Sequence, residues 1–164
     1  MKQNYAKKYK VVVVGLGYVG LSNAILLAQH NEVIGVDISY ERVDAVNSYK
    51  SPIIDEDVSD YLANKDLNLS ATTDLKSSIF GADFVIISTP TNYDDKTNFF
   101  DTSSVEEVIF EVNRSAPSVC IVVKSTVPVG FVEGMHARLE ADAVMFSPEF
   151  LREGRALHDN LYPS

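Results

Sequence analysis

Six residues, Gly15-Leu16-Gly17-Tyr18-Val19-Gly20, constrain this chain more than any others. They follow a β-branched run, Val11 to Val14, and open a Leu- and Ala-rich stretch, Val19 to His30. G-x-G-x-x-G alone is a weak signal, because glycines recur in many turns. Between a strand and a helix it has the context that the motif requires. Gly15 permits the tight turn. Gly17 lets an anionic group reach the backbone with no Cβ in the way. Gly20 lets the helix pack close to the sheet. The helix N-terminus then offers N–H donors and its positive dipole end, which suits a pyrophosphate.

Asp37 stands twenty residues after Gly17, at the end of the next apolar run, Val33 to Val36. A carboxylate there accepts the ribose hydroxyls of an adenosine and repels a 2′-phosphate, which favours NAD over NADP. Arg42 points the other way, since a nearby arginine accommodates that phosphate. A plainer alternative makes Asp37 a cap for the helix after Ser39 and Arg42 a solvated charge. FAD proteins share the fingerprint, so the motif alone does not select nicotinamide.

The rest of the chain alternates in the same manner. Strands are predicted at Lys10–Val14, Val33–Val36, Leu69–Ala71, Phe84–Ser88, Val119–Lys124 and Val144–Ser147. Helices are predicted at Val19–His30, Glu41–Tyr49, Asp55–Asn64, Leu75–Phe80, from Asp101 or Thr102 as cap to Ser115, and Val129–Leu139. Thr89 to Asp101 reads as a polar loop. Continuous apolar strands separated by helices indicate a parallel sheet covered on both faces. The fold class is therefore α/β, a doubly wound parallel sheet of the Rossmann-like, NAD-binding kind. The lysines at 2, 7, 8 and 10 before the apolar stretch Val11–Ala28 superficially resemble a signal peptide or anchor. Three glycines, Ser22 and Asn23 interrupt that stretch, and strand-turn-helix describes it better.

Ligands of such sheets bind beyond the carboxyl ends of the strands. Three polar clusters fall there: Ser88–Asn92, Lys124–Gly130 and Ser147–Gly154. Each is ordinary turn chemistry taken singly. Together, at the edge that carries the glycine loop, they outline a site. Glu149 and Glu153, four apart, would share one pocket if their segment were helical, and one would then hold its proton for acid/base work. The alternative is two solvated acids partnered by Arg152 and Arg155.

Other functions are disfavoured. A net charge of −9 repels nucleic-acid backbones and anionic membranes. His30, His136 and His158 are scattered without metal-ligand spacing, so no metal is expected. One cysteine makes no internal disulfide, which fits a reducing, cytoplasmic setting. Cys120 lies inside an apolar strand and reads as a small buried hydrophobe rather than a nucleophile.

Four stretches in order resemble the UDP-glucose and GDP-mannose dehydrogenase family: Gly15–Leu21, Thr89–Asn92, Lys124–Gly130 and Ser147–Gly154. The last, continuing through Ser164, is most similar to the family's bacterial UDP-glucose 6-dehydrogenases. The resemblance implies oxidation of the C6 alcohol of UDP-glucose to a carboxylate, with two NAD reduced. GDP-mannose and UDP-N-acetyl sugars are alternative substrates, and a non-catalytic NAD-binding module is an alternative role. It implies cofactor contacts from Gly15, Gly17, Tyr18, Val19 and Gly20. Asp37 and Arg42 would sit at the adenosine, and Thr91, Thr126 and Glu153 toward the nicotinamide. Thr126 and Glu149 match residues that hold a catalytic water and assist proton transfer. Glu149, Phe150, Leu151, Arg152 and Glu153 match a loop along the sugar nucleotide. The resemblance also makes residues 1–164 an NAD-binding domain truncated near its C-terminal end. The family's cysteine nucleophile, catalytic lysine and asparagine, central dimer helix and UDP-sugar-binding domain come later. A homodimer is thus expected of the full-length enzyme, and no turnover of these residues alone.

Overall fold

The computed structural model describes residues 7–96, 99–139 and 143–163. Four consecutive valines build the central strand, β1 (Lys10–Val14). Its neighbours are β2 (Glu32–Val36) and β4 (Phe84–Ile87), both parallel to it. β3 (Leu69–Thr72) lies outside β2, and β7 (Cys120–Val123) and β8 (Val144–Phe146) lie beyond β4. The order is β3-β2-β1-β4-β7-β8, with every pairing parallel. The chain thus reverses its direction of travel beside β1, which opens a crevice at the carboxyl ends of β1 and β4.

Strand alternation divides the valines between two faces. Val11 and Val13 pack with Ala24 and Ala28 of α1 (Tyr18–Ala28), whose small side chains bring the helix close to the sheet. Val12 and Val14 face α5 (Ser103–Ser115), which buries Val105, Val108, Ile109 and Val112. That i, i+3, i+4, i+7 spacing is one helical stripe. α2 (Tyr40–Asn47), α3 (Glu56–Asn64), α4 (Leu75–Ser78) and α6 (Phe131–Leu139) complete the predicted set. Among the described residues no helix is long and apolar enough to cross a membrane. The stretch 11–28 is strand, turn and helix.

Four features differ from the sequence expectations. The supposed loop 89–101 contains a hairpin, β5 (Asn92–Asp94) with β6 (Phe99–Asp101), in which Tyr93 lies opposite Phe100. A short helix absent from the prediction, α7 (Ala156–Leu161), packs Leu157 and Leu161 against a cluster containing Leu21, Ile25, Val58 and Leu62. Residues 147–155 are not helical, so Glu149 and Glu153 do not share a helix face. Pro148 lies two residues past the end of β8 and Gly154 takes φ +80°, a left-handed turn that favours glycine. The predicted start of α6 at Val129 also moves, because Gly130 turns at φ +84° before the helix begins.

Candidate functional site

The glycine turn is shaped by contact. Gly15 has φ +92°, and a Cβ there would meet the Ser88 carbonyl oxygen at 2.6 Å. A Cβ on Gly20 would lie 1.7 Å from the Gly15 carbonyl oxygen, so the first turn of α1 presses on the loop backbone. Gly17 differs: nothing lies within 4 Å of where its Cβ would be. It is the N-cap of α1 with no side-chain cap bond, and Leu21 N–H is the donor to its carbonyl. The leading N–H groups of an α-helix have no intrahelical acceptor. Open space in front of uncapped amides fits a diphosphate. The Ser88 hydroxyl, buried beside this turn, has no hydrogen-bond partner among the described residues.

Asp37 is buried and braces the loop. Its Oδ2 accepts from Leu16 N–H at 2.7 Å and from Arg42 Nη1 at 3.3 Å, and its Oδ1 accepts from Ser39 N–H at 2.9 Å. The cap of α2 is Ser39, whose Oγ accepts from Arg42 N–H, so Asp37 is not the helix cap. Arg42 is half exposed but paired with Asp37, not a free solvated charge. Both line an open cleft of about 530 Å³ with Ile38, Ser39, Glu41, Ala45 and Pro52. Ile38 is almost fully exposed there and offers an apolar surface that a purine could cover.

The three strand-end clusters converge. Ser125 Oγ donates to the Thr89 carbonyl at 2.7 Å, and Thr91 Oγ1 to the Thr126 carbonyl at 2.8 Å. Ser104 Oγ, on α5, sits 2.8 Å from the Pro90 carbonyl and pins the same loop. Thr91 and Thr126 are therefore neighbours. Glu149 Oε2 receives the Lys124 ammonium at 3.0 Å and the Asn23 amide at 3.2 Å, and its Oε1 the Phe150 N–H at 3.3 Å. Glu153 is exposed. Phe150 is exposed and Leu151 half-buried. Arg152 does not partner either glutamate. It grips Asp159 through its backbone N–H, Nε and Nη2, and these bonds hold the Asp159 carboxyl well below the usual carboxylate range.

Lys124 and Asn23 were not singled out from the sequence. A lysine ending an apolar strand and an asparagine within an apolar helix were the available signals, but neither points to a partner. Cys120 opens β7 half-buried, and burial pushes its thiol up from the ordinary value. Among the described residues no His, Cys, Asp and Glu cluster could hold a metal ion.

A parallel sheet in this order, with an open glycine turn and a buried acid ending β2, defines a dinucleotide-binding domain of the Rossmann class. The model for the UDP-glucose/GDP-mannose dehydrogenase family, NAD binding domain, matches residues 9–164, and the chain belongs to that family. It is 48% identical over 155 residues to a UDP-glucose 6-dehydrogenase of Streptococcus pneumoniae, covering 94% of this chain and 39% of that protein. With the UDP-glucose 6-dehydrogenase of Campylobacter jejuni subsp. jejuni serotype O:2 the identity is 43% over 157 residues, 94% of this chain and 40% of that one. A solved UDP-glucose dehydrogenase from Pyrobaculum islandicum superposes with a TM-score of 0.81 at 30% identity, covering 99% of this chain and 40% of that chain. The chain thus spans about 40% of the length of the curated relatives it matches.

Proposed function

We propose that this chain is the NAD-binding part of a UDP-glucose 6-dehydrogenase, a cytoplasmic enzyme that oxidises UDP-glucose to UDP-glucuronate with two NAD. The observation that carries the reading is a juxtaposition. The open Gly17 turn, the bonded Thr91 and Thr126, and Glu149 beside Lys124 follow strands at one carboxyl edge of one sheet, so a dinucleotide and a polar reacting group would meet there. Identity of 48% to a UDP-glucose 6-dehydrogenase along nearly the whole chain supports the choice of substrate.

In this reading Gly15, Gly17 and Gly20 give the pyrophosphate its space, and the amides of Tyr18 and Val19 donate to it. Asp37 and Arg42 hold the adenosine ribose. Thr91, Thr126 and Glu153 contact the nicotinamide side. NAD, when bound, supplies the hydride acceptor. Glu149 takes up a proton and, with Thr126, holds water; residues 149–153 lie along the sugar nucleotide. The nucleophile, the oxyanion-stabilising groups and the dimer interface belong to the remaining portion of the enzyme.

The test compares this chain with a longer protein that carries it, assayed for NADH with UDP-glucose and excess NAD. NAD binding by both and turnover only by the longer protein is expected. Sustained turnover by the 164-residue chain would refute the division of roles. Turnover of GDP-mannose in preference to UDP-glucose would overturn the substrate.

A further inference from the structure

Glu149 is held more fully than a surface acid needs to be. Lys124 follows β7, Ser147 follows β8 and Asn23 lies in the second turn of α1, and all three point at one place. The Lys124 ammonium is 3.0 Å from Glu149 Oε2 and 3.4 Å from Ser147 Oγ. The Asn23 side-chain amide donates both to Glu149 Oε2 and, at 2.8 Å, to the Val19 carbonyl in the first turn of α1. In the Lys124–Glu149 pair the side chains are only 13% and 16% exposed. The arginines of Arg42–Asp37, Arg138–Glu106 and Arg152–Asp159 are 46%, 51% and 64% exposed.

A sheltered ion pair loses hydration, and stability alone is a weak reason to have one. Its geometry serves another purpose here. One carboxylate oxygen carries an ammonium and an amide, while the other has a single long bond from Phe150 N–H. The free lone pairs of the carboxylate are therefore concentrated on Oε1. Asn23 adds a link, because the amide that orients Glu149 is itself oriented by the helix turn that ends at the glycine loop.

We infer that Lys124 and Asn23 are positioning residues for Glu149: they occupy Oε2 and leave Oε1 to accept the proton. The inference rests on the dehydrogenase reading above. It places Lys124 behind the carboxylate, not in contact with substrate, so binding of NAD and sugar nucleotide does not depend on it. A general base is effective only when held in line with its proton, and a misplacement near 1 Å costs about 100-fold.

The test uses Lys124→Met and Lys124→Arg in two proteins. In the longer dehydrogenase, Lys124→Met is expected to lower kcat by about 100-fold with the KM for UDP-glucose and for NAD unchanged. Lys124→Arg is expected to recover part of that loss. A kcat within twofold of the parent, or a rise in KM with kcat kept, overturns the inference. A crystal structure of the 164-residue Lys124→Met chain reads the same point without activity. A Glu149 carboxylate that leaves Asn23 supports positioning by Lys124, and one that stays in place overturns it. If the parent dehydrogenase reduces no NAD with UDP-glucose, the functional reading fails, while the crystal structure still decides what holds Glu149.

Discussion

The buried carboxylate of Asp55 accepts the backbone N–H of Ala156 at 2.7 Å, across 101 residues of chain. Its other oxygen accepts from Val58 N–H at 3.1 Å. One side chain thus accepts at the starts of both α3 and α7 and ties the two helices together. Asp55→Ala is expected to destabilise the domain by about 2–4 kcal/mol, because two helix N-termini lose an acceptor. Urea unfolding measures the loss, and a change below about 0.5 kcal/mol would mean that α7 is held by Leu157 and Leu161 alone.

Gly17 and Gly20 are expected to part company on substitution. Alanine at Gly17 meets open space at an ordinary φ of −79°, so stability should stay within about 1 kcal/mol. NAD affinity should still fall about tenfold or more, since the methyl group occupies the approach to the amides. Alanine at Gly20 collides with the Gly15 carbonyl and should cost roughly 2–3 kcal/mol of stability as well. Thermal unfolding and calorimetric titration, run together, separate the two effects. Unchanged NAD affinity in Gly17→Ala would show that the space before α1 is not where the dinucleotide binds.

The Asp37–Arg42 pair is expected to set cofactor choice. With Arg42 engaged by the buried carboxylate, NAD is expected to bind more tightly than NADP. Asp37→Ala should weaken NAD by about 1.5–3 kcal/mol for the lost charged hydrogen bonds. Because Leu16 N–H also loses its acceptor, some stability goes too. Calorimetry with both cofactors tests this, and tighter NADP binding by the parent chain would show that Arg42 dominates.

Arg152 and Asp159 make the docking of α7 sensitive to acid. The Asp159 carboxyl lies lower in the folded state than its ordinary value of 3.8, because Arg152 hydrogen-bonds it. A lowered carboxyl contributes stability that is fully present above its unfolded value and is lost as pH falls through the folded one. The Arg152 Nε–H signal should therefore persist at pH 3.8 and disappear only in stronger acid. Its disappearance well above that pH, followed by NMR, would show that the pair does not form in solution.

Cys120 is expected to react slowly with a thiol reagent in the native state and quickly in denaturant. Burial disfavours its thiolate, and the thiolate is the reactive form. Rapid native labelling would contradict a structural role.

The fold was largely legible where a local pattern and its tertiary use coincide. Val11–Val14, the three glycines and Asp37 each announce a backbone event within a few residues, and β1, its turn, α1 and β2 follow. Helix boundaries were legible to within a residue or two where an acid or Ser caps, as at Ser39, Asp55 and Asp74. The hairpin 92–101 was not, because three-residue strands of polar and aromatic residues show no alternation long enough to read. α7 was missed for a related reason: six residues are marginal as a helix alone, and its cap comes from Asp55, far away in sequence. The strand-end clusters were visible as places. The pairing of Glu149 with Lys124 and Asn23 arises only when the strand ends are brought together.

The outer strands of the sheet, β3 and β8, have four and three residues. An incoming strand from another chain needs a run of unpaired N–H and C=O groups to add itself to a sheet. β8 offers three residues, and Pro148, two positions past its end, has no N–H to give. β3 ends within two residues of Asp74, whose carboxylate turns the chain into α4. With both ladders this short, the sheet presents a poor template for edge-to-edge aggregation, even though Met145 and Phe146 on β8 are about half exposed.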